Sequence, residues 1–132
     1  MDETELHVVA GLGEGLFAGD SPQTIPIPNS SNSSWNLTAI HAADFNGDER
    51  VDVVLSDCRH DKLHILLANP DGQLELISST PTVDCVQLQY LADSLNALDV
   101  NGDGHLDLLA LGEETETLRV YFGDSQGGVE AH

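Results

Sequence analysis

The stretch ADFNGDERVDVVLSD, residues 43–57, returns in altered form as ALDVNGDGHLDLLALGE, residues 97–113. Each copy places Asp, Asn and Asp at every second position, adds another Asp four residues later, and continues into an apolar run. Corresponding residues, such as Asp44 and Asp99, lie 55 positions apart. A motif that recurs in this way indicates a structural repeat.

A second pattern has nearly the same spacing. LHVVAGLGEGLF begins at Leu6, LHILLANPDGQL at Leu63 and LRVYFGDSQGGV at Leu118, with spacings of 57 and 55 residues. Two independent features with one period indicate a repeat of about 55 residues. This length exceeds that of common helical repeats and is typical of a four-stranded propeller blade.

The local patterns favour strands over helices. The segments LHILLA and LRVYF alternate with period two, while VDVVLS and LDLLAL are continuous apolar runs. Continuous runs are typical of inner strands that are covered on both faces. Turn residues separate the strands at GLGEG, NPDG and DSQGG. We therefore predict an all-β fold of propeller blades with four antiparallel strands each.

The repeat also predicts how the chain is organised. Residues 1–132 form one propeller-repeat module, with polar linkers at NSSNSSW and STPTVDC. Residues 1–28 supply strands three and four of a partial blade. Residues 37–80 form a full blade, and residues 94–129 supply the first three strands of another partial blade. About two and a half repeats make an incomplete propeller, so we expect the edges and faces of the end blades to favour association.

The acidic motifs have the donor chemistry of a metal site. In each nine-residue loop, positions 1, 3, 5 and 9 carry side-chain oxygens, and the carbonyl at position 7 adds another. Hard oxygen donors favour Ca²⁺ over Mg²⁺, which demands a tighter octahedron, and zinc would require His or Cys side chains. The predicted ligands are Asp44, Asn46, Asp48, Arg50 (carbonyl) and Asp52 in one loop, and Asp99, Asn101, Asp103, His105 (carbonyl) and Asp107 in the other.

Other interpretations of these loops fit the sequence less well. Solvated acidic turns without an ion would bring three carboxylates together with no cation to reduce their repulsion. An EF-hand needs Glu at position 12 and flanking helices. Position 12 is Leu55 or Ala110 here, and strands are predicted on both sides. A dockerin module also carries helices and has a much shorter repeat.

The charge of the chain narrows the classes of partner. There are 23 acidic and 4 basic residues, with a formal net charge of −19. Such a surface repels phosphate backbones, so we expect no nucleic-acid binding. No apolar run approaches the ~18 residues of a membrane span, and the segment MDETELHVV lacks the features of a signal peptide.

The segments DFNGDERVDVV and DVNGDGHLDLL, each followed by a strand and a glycine turn, resemble the FG-GAP or VCBS repeats of integrin-alpha-type propellers. The resemblance implies β-propeller blades with a structural calcium ion in the loop between the first two strands, and it implies the ligand roles given above. Propellers of this kind mediate adhesion, sugar binding or domain contacts. Commonly they are closed rings of about seven blades, which this chain cannot close alone.

One position departs from the pattern of such loops. Position 6, where a sharp turn favours glycine, is Gly104 in one loop and Glu49 in the other. If the turn requires a positive φ, a residue with a Cβ costs roughly 1–2 kcal/mol there. The loop with Gly104 is therefore expected to bind its ion more tightly.

Several residues leave alternatives open. Cys58 and Cys85 can form one bridge or none. Sequons at Asn29, Asn32 and Asn36 mark either glycosylation sites or a polar linker. Trp35 anchors this linker or stacks on a sugar. His7 and His64 share one repeat position, which indicates an outward position on a strand rather than a zinc site.

Together these patterns predict a calcium-binding module for adhesion or for interaction with a protein or other ligand. The expected partners are calcium, other copies or neighbouring blades of a longer chain, and a protein or glycan. We expect an extracellular or cell-surface location and no enzymatic activity. The alternatives are a carbohydrate-binding or accessory domain of an extracellular enzyme, or a structural unit that assembles into a ring.

Overall fold

The structure, a computed structural model, divides the chain into two compact units, Met1–Trp35 and Asn36–His132. The residues that the structure describes are 5–9, 11–14, 16–17, 22–26, 37–57, 62–81, 95–112 and 117–131.

The second unit contains two four-stranded antiparallel sheets, which we call the first and second blades. In both blades the strands lie in the order in which they occur along the chain. The first blade consists of β5 (Leu37–Ala43), β6 (Asp52–Asp57), β7 (Lys62–Ala68) and β8 (Leu74–Pro81). The second consists of β9 (Leu95–Leu98), β10 (Asp107–Gly112), β11 (Thr117–Gly123) and β12 (Val129–Ala131). The predicted all-β class of four-stranded antiparallel sheets is confirmed.

The second blade has one strand more than the sequence predicts. The prediction gave it three strands, whereas β12 pairs with β11 through Tyr121 and Ala131, Phe122 and Glu130, and Gly123 and Val129. A three-residue strand contains too few positions to display an alternation of period two. The extra strand therefore has no clear sequence signal except its position after the glycine turn.

The main core lies between the two blades. Val54, Leu63 and Ile65 of the first blade pack in one buried cluster with Leu108 and Tyr121 of the second. Strand β6 is buried at all six positions. Its continuous apolar pattern therefore describes a strand that is covered on both faces, as the sequence predicts.

The β7–β8 and β11–β12 turns confirm the repeat at the level of individual atoms. The N–H of Gly72 donates to the carbonyl of Asn69 at 2.8 Å, and the N–H of Gly127 donates to that of Asp124 at 3.2 Å. The two glycines have nearly equal left-handed φ angles, +79° and +76°. Their surroundings differ, because a Cβ on Gly72 would meet nothing within 4 Å, whereas one on Gly127 would lie 2.9 Å from Leu67 Cδ2 and 3.4 Å from Asn46 Cβ.

The first unit holds two small antiparallel pairs. Strand β1 (Glu5–Val8) pairs with β4 (Gln23–Pro26), as expected for the last two strands of a partial blade. Between them, β2 (Gly11–Gly13) and β3 (Leu16–Phe17) form a short hairpin where the sequence predicts only a turn.

Several predictions concern residues outside the described part of the chain: the cysteine pairing, the sequons and the role of Trp35. Among the described residues, no helix has the length and apolarity that crossing a membrane requires.

Candidate metal loops

The two acidic loops occupy equivalent corners of the blades. Loop one, residues 44–52, connects β5 to β6, and loop two, residues 99–107, connects β9 to β10. Position 9 of each loop is also the first residue of the following strand.

The first aspartate of each loop organises the turn. In loop one, Asp44 Oδ1 accepts the N–H groups of Gly47 (2.7 Å) and Asp48 (3.0 Å), and its Oδ2 accepts that of Glu49 (2.8 Å). A carboxylate that accepts several backbone N–H groups forms charge-assisted hydrogen bonds, which are stronger than neutral ones. Asp44 thus fixes the curl of its loop from within.

Loop two repeats this arrangement atom for atom. Asp99 Oδ1 accepts the N–H groups of Gly102 (2.6 Å) and Asp103 (3.1 Å), and Asp99 Oδ2 accepts that of Gly104 (2.9 Å). Because the corresponding distances agree within about 0.1 Å, the local pattern of Asp and Asn residues determines the loop backbone independently of the residues between them.

Positions 3 and 5 are also connected in both loops. The Asn46 amide donates to Asp48 Oδ2 at 2.7 Å, and the N–H of Arg50 donates to Asp48 Oδ1 at 2.9 Å. In loop two the equivalent bonds from Asn101 and His105 to Asp103 are both 2.8 Å. The structure therefore joins the predicted ligands at positions 3 and 5 by a side-chain hydrogen bond in each loop.

The last aspartate of each loop has a different environment. Asp52 is fully buried, and its oxygens accept the N–H groups of Phe45 (2.9 Å) and Ala68 (2.8 Å). Asp107 likewise accepts the N–H groups of Val100 (2.8 Å) and Gly123 (2.9 Å). Each carboxylate therefore joins the start of its loop to the end of the third strand of its blade, a structural role that the sequence analysis did not identify.

An ion pair distinguishes loop one. Arg50 Nη2 lies 2.6 Å from Asp48 Oδ2, and Arg50 Nε donates to the carbonyl of Ala68 at 3.1 Å. The loop pattern predicts a role only for the carbonyl of Arg50, so the role of its side chain is a finding of the structure. The equivalent residue in loop two is His105.

The hydrogen bonds shift the pKa values of the central carboxyl groups. Desolvation pushes the pKa of Asp48 upward, but the Asn46 amide and the backbone N–H and charge of Arg50 together hold it below its ordinary value. The N–H of His105 and the Asn101 amide hold the pKa of Asp103 below its ordinary value. Both groups are thereby maintained as anions, the form that binds a cation.

Position 6 adopts the left-handed conformation in both loops. Gly104 has a φ of +91° and Glu49 a φ of +67°. The condition on which the sequence analysis based the cost of Glu49 is therefore met, since a residue with a Cβ is strained in this region.

The carboxylates accept backbone N–H groups and do not converge on a common point. Among the described side chains, no group of three or more His, Cys, Asp or Glu residues meets where it could hold a metal ion. The loops supply oxygen donors on a fixed backbone. Asp48 forms an ion pair with Arg50. Asp52 and Asp107 accept hydrogen bonds from backbone N–H groups.

A group of polar side chains lies on the face of the first blade that is opposite the core shared with the second blade. His64 Nδ1 lies 2.8 Å from Ser79 Oγ, and His64 Nε2 lies 3.5 Å from Asp57 Oδ2. His64 is 3% exposed, so its predicted outward position is wrong, although His7 at the equivalent position is exposed. The partners explain how the imidazole is accommodated inside the sheet.

The comparisons with known proteins agree with the repeat. A family model described as FG-GAP-like repeat matches residues 44–110, slightly more than half of the chain. The matched segment begins at the first residue of loop one and ends just after loop two. No curated protein and no solved structure gives a significant match. Because the matched segment covers more than half of the chain and contains both loops with strands β6 to β9 between them, the chain belongs to the FG-GAP-like repeat family.

Proposed function

We propose that the chain is a calcium-binding repeat module for adhesion or for interaction with a protein or other ligand, and that it has no catalytic role of its own. One observation carries the proposal. The same loop of oxygen donors, with the same hydrogen bonds, occurs twice at the same corner of the repeat. A purely solvated turn would not require this arrangement of carboxylates in both copies.

The donor set fits calcium. Carboxylate, amide and carbonyl oxygens are the ligands that calcium prefers, and it accepts six to eight of them in flexible geometry. Asp44 Oδ2 and Asp99 Oδ2 each accept one N–H group, and a carboxylate oxygen with one such bond retains a lone pair for a cation. The residues that would hold the ions are Asp44, Asn46, Asp48, Asp52 and the carbonyl of Arg50, and Asp99, Asn101, Asp103, Asp107 and the carbonyl of His105.

The ion would supply charge neutralisation at the corners of the blades. Each loop contains three aspartates, and the chain as a whole has a formal charge of −19. A divalent cation reduces the repulsion among these carboxylates and fixes the loop between the first two strands of its blade. The chain's own residues set the loop shape beforehand, because Asp44 and Asp99 already hold the backbone.

The interaction role rests on the family and on the location that it implies. We expect the module to act at the cell surface or outside the cell, where calcium sites with dissociation constants of about 10⁻⁴–10⁻³ M are filled. In this role the ions hold the loops rigid, and the surfaces of the blades make the contacts.

Calorimetric titration and thermal melting test the proposal. At a calcium concentration about 100 times the dissociation constant, binding to the folded state alone adds about 2.7 kcal/mol to its stability. Melting should therefore occur at a higher temperature in calcium than in chelator, and magnesium should give a smaller shift. In the matched control, Asp44→Asn with Asp99→Asn, the calcium shift should be largely lost. Equal melting temperatures for the unsubstituted chain in calcium and in chelator would refute the metal assignment.

A further inference from the structure

The chain contains two Asn–Gly pairs, and both lie inside the acidic loops. They are Asn46–Gly47 in loop one and Asn101–Gly102 in loop two. In such a pair the backbone nitrogen of the glycine can attack the side-chain carbonyl carbon of the asparagine, because glycine has no side chain to hinder the close approach. Each pair is therefore a position at which the chain can modify itself without an enzyme.

The reaction replaces the asparagine amide by a carboxylate. A bond forms between the glycine nitrogen and the asparagine Cγ, the Cγ–Nδ2 bond breaks, and the proton of the glycine nitrogen leaves with the amide as ammonia. Water then opens the resulting succinimide ring at one of its two C–N bonds. The product is aspartate when the bond to Cγ breaks, and isoaspartate when the bond to the backbone carbonyl carbon breaks.

Both loops hold the reacting atoms in hydrogen bonds that the reaction must break. The N–H of Gly47 donates to Asp44 Oδ1 at 2.7 Å, and that of Gly102 donates to Asp99 Oδ1 at 2.6 Å. In each loop the asparagine amide is also held, by the aspartate at position 5. Because the nitrogen can attack only after its N–H has left the carboxylate, the rate at each pair follows how often its loop opens locally.

The two loops differ in what else their opening must disrupt. Asn46 is partly buried, whereas Asn101 is exposed. Arg50 Nε ties loop one to the last carbonyl of β7 at 3.1 Å, and a Cβ on Gly127 would lie 3.4 Å from Asn46 Cβ. Among the described hydrogen bonds, none joins the equivalent side chain of loop two, His105, to the third strand of its blade. Loop one must therefore break an additional hydrogen bond in order to open.

We propose that Asn101 is the residue at which the folded chain deamidates, and that Asn46, at the same position of the repeat, is protected. The reaction consumes only water and needs neither an ion nor a partner, so it goes beyond the proposed function. The product changes loop two, because the amide that donates to Asp103 Oδ2 at 2.8 Å is replaced by a carboxylate that repels it. Isoaspartate in addition lengthens the backbone of the loop.

Peptide mapping by mass spectrometry tests the proposal after timed incubation of the full chain in chelator at mildly alkaline pH. The exchange of ammonia for water changes the mass of the peptide, so conversion is measured separately at each asparagine. A parallel sample in guanidinium chloride gives the rate of each residue in the unfolded chain. After division by that rate, conversion in the folded chain should be roughly two- to tenfold faster at Asn101 than at Asn46, the ratio that one hydrogen bond of ordinary strength gives.

Arg50→Gln provides the matched variant, because it removes the guanidinium bond to β7 and leaves the aspartates and the asparagine of loop one in place. It should raise the rate at Asn46 severalfold and leave the rate at Asn101 unchanged, and thermal melting should show that the variant folds.

Four results would each overturn the proposal. They are equal normalised rates at the two asparagines, a faster rate at Asn46, an equal effect of Arg50→Gln on both residues, and an unmodified Asn101 in the folded chain after both residues have converted in denaturant. Because no step uses calcium, such a result would leave the calcium assignment to be decided by calorimetry.

Discussion

Loops one and two share the same pattern of hydrogen bonds but differ in charge and in backbone strain. In both, the first aspartate holds three N–H groups and the last joins the loop to the third strand. They differ at position 6, where Glu49 replaces glycine at a positive φ, and at position 7, where Arg50 pairs with Asp48. The repeated aspartates and asparagines thus determine the loop shape, and we expect the residues between them to set any difference in cation affinity between the loops.

The largest effect is expected from the buried aspartate at the base of each loop. Asp52→Ala should destabilise the chain by roughly 2–6 kcal/mol, because two buried N–H groups lose their acceptor at ~1–3 kcal/mol each. Asp107→Ala should cost less, since the N–H groups of Val100 and Gly123 are only partly buried. Urea unfolding in chelator measures both costs without a contribution from metal.

Asp52→Asn provides the control for this prediction, since its amide oxygen keeps one acceptor and should give an intermediate loss. An equal cost of Asp52→Ala and Asp107→Ala would show that burial does not distinguish the two loop bases. Because substitution of Asp52 or Asp107 destabilises the chain, a single calcium site is isolated with Asp48→Asn or Asp103→Asn. These substitutions leave both buried aspartates in place.

The next effect concerns calcium affinity. Loop two should bind roughly five- to thirtyfold more tightly than loop one, which corresponds to the ~1–2 kcal/mol strain of a Cβ at a positive φ. Calorimetric titration of Asp48→Asn reports loop two, and that of Asp103→Asn reports loop one. Adding Glu49→Gly to Asp103→Asn should remove most of the difference.

Arg50→Gln, added to Asp103→Asn, tests the contribution of charge separately, because it releases Asp48 from its ion pair without altering position 6. If Arg50→Gln removed the difference and Glu49→Gly did not, the ion pair rather than the backbone would be what distinguishes the loops. Equal affinities of the two single-site proteins would contradict the ranking itself.

A smaller effect should appear at the β11–β12 turn, where a Cβ on Gly127 would lie 3.4 Å from Asn46 Cβ of loop one. Gly127→Ala and Gly72→Ala should each lower the free energy of unfolding by ~1–2 kcal/mol, since the φ angles of the two glycines are +76° and +79°. Gly127→Ala should cost a few tenths more, because its Cβ meets the flexible end of Leu67 and lies close to Asn46. Urea unfolding in chelator compares them, and a larger loss for Gly72→Ala would be inconsistent with the contact.

The smallest effect is a dependence on acid. The pKa values of Asp48 and Asp103 are lowered from the ordinary value of 3.8. Their contribution to stability is therefore present above about pH 3.8 and is lost as the pH falls through their lower folded-state values. Carbon NMR titration of the metal-free chain should give midpoints below 3.8 for both. Arg50→Gln should raise the midpoint of Asp48 and leave that of Asp103 unchanged.

The sequence predicted the loops and the strands of the first blade better than it predicted the surroundings of individual side chains. The recurrence of the aspartates identified both loops and the first blade, because short-range hydrogen bonds and period-two alternation are local properties. The burial of His64 and the roles of Asp52 and Asp107 were missed, because each depends on strands distant in sequence. The pairing of Arg50 with Asp48 spans two residues, and a search for adjacent opposite charges could have found it. Calcium binding by either loop remains a prediction.

The position of Gly127, where a Cβ would lie 3.4 Å from Asn46 and 2.9 Å from Leu67, has a consequence for the order of folding. Loop one is completed by a residue 81 positions beyond Asn46, whereas the described hydrogen bonds of loop two extend no further than Gly123. Closing a longer stretch of chain costs more entropy, and contacts between distant residues form later. As the chain leaves the ribosome, Asn46 emerges long before its neighbour Gly127. The loop that is synthesised first is therefore the last to be fully enclosed.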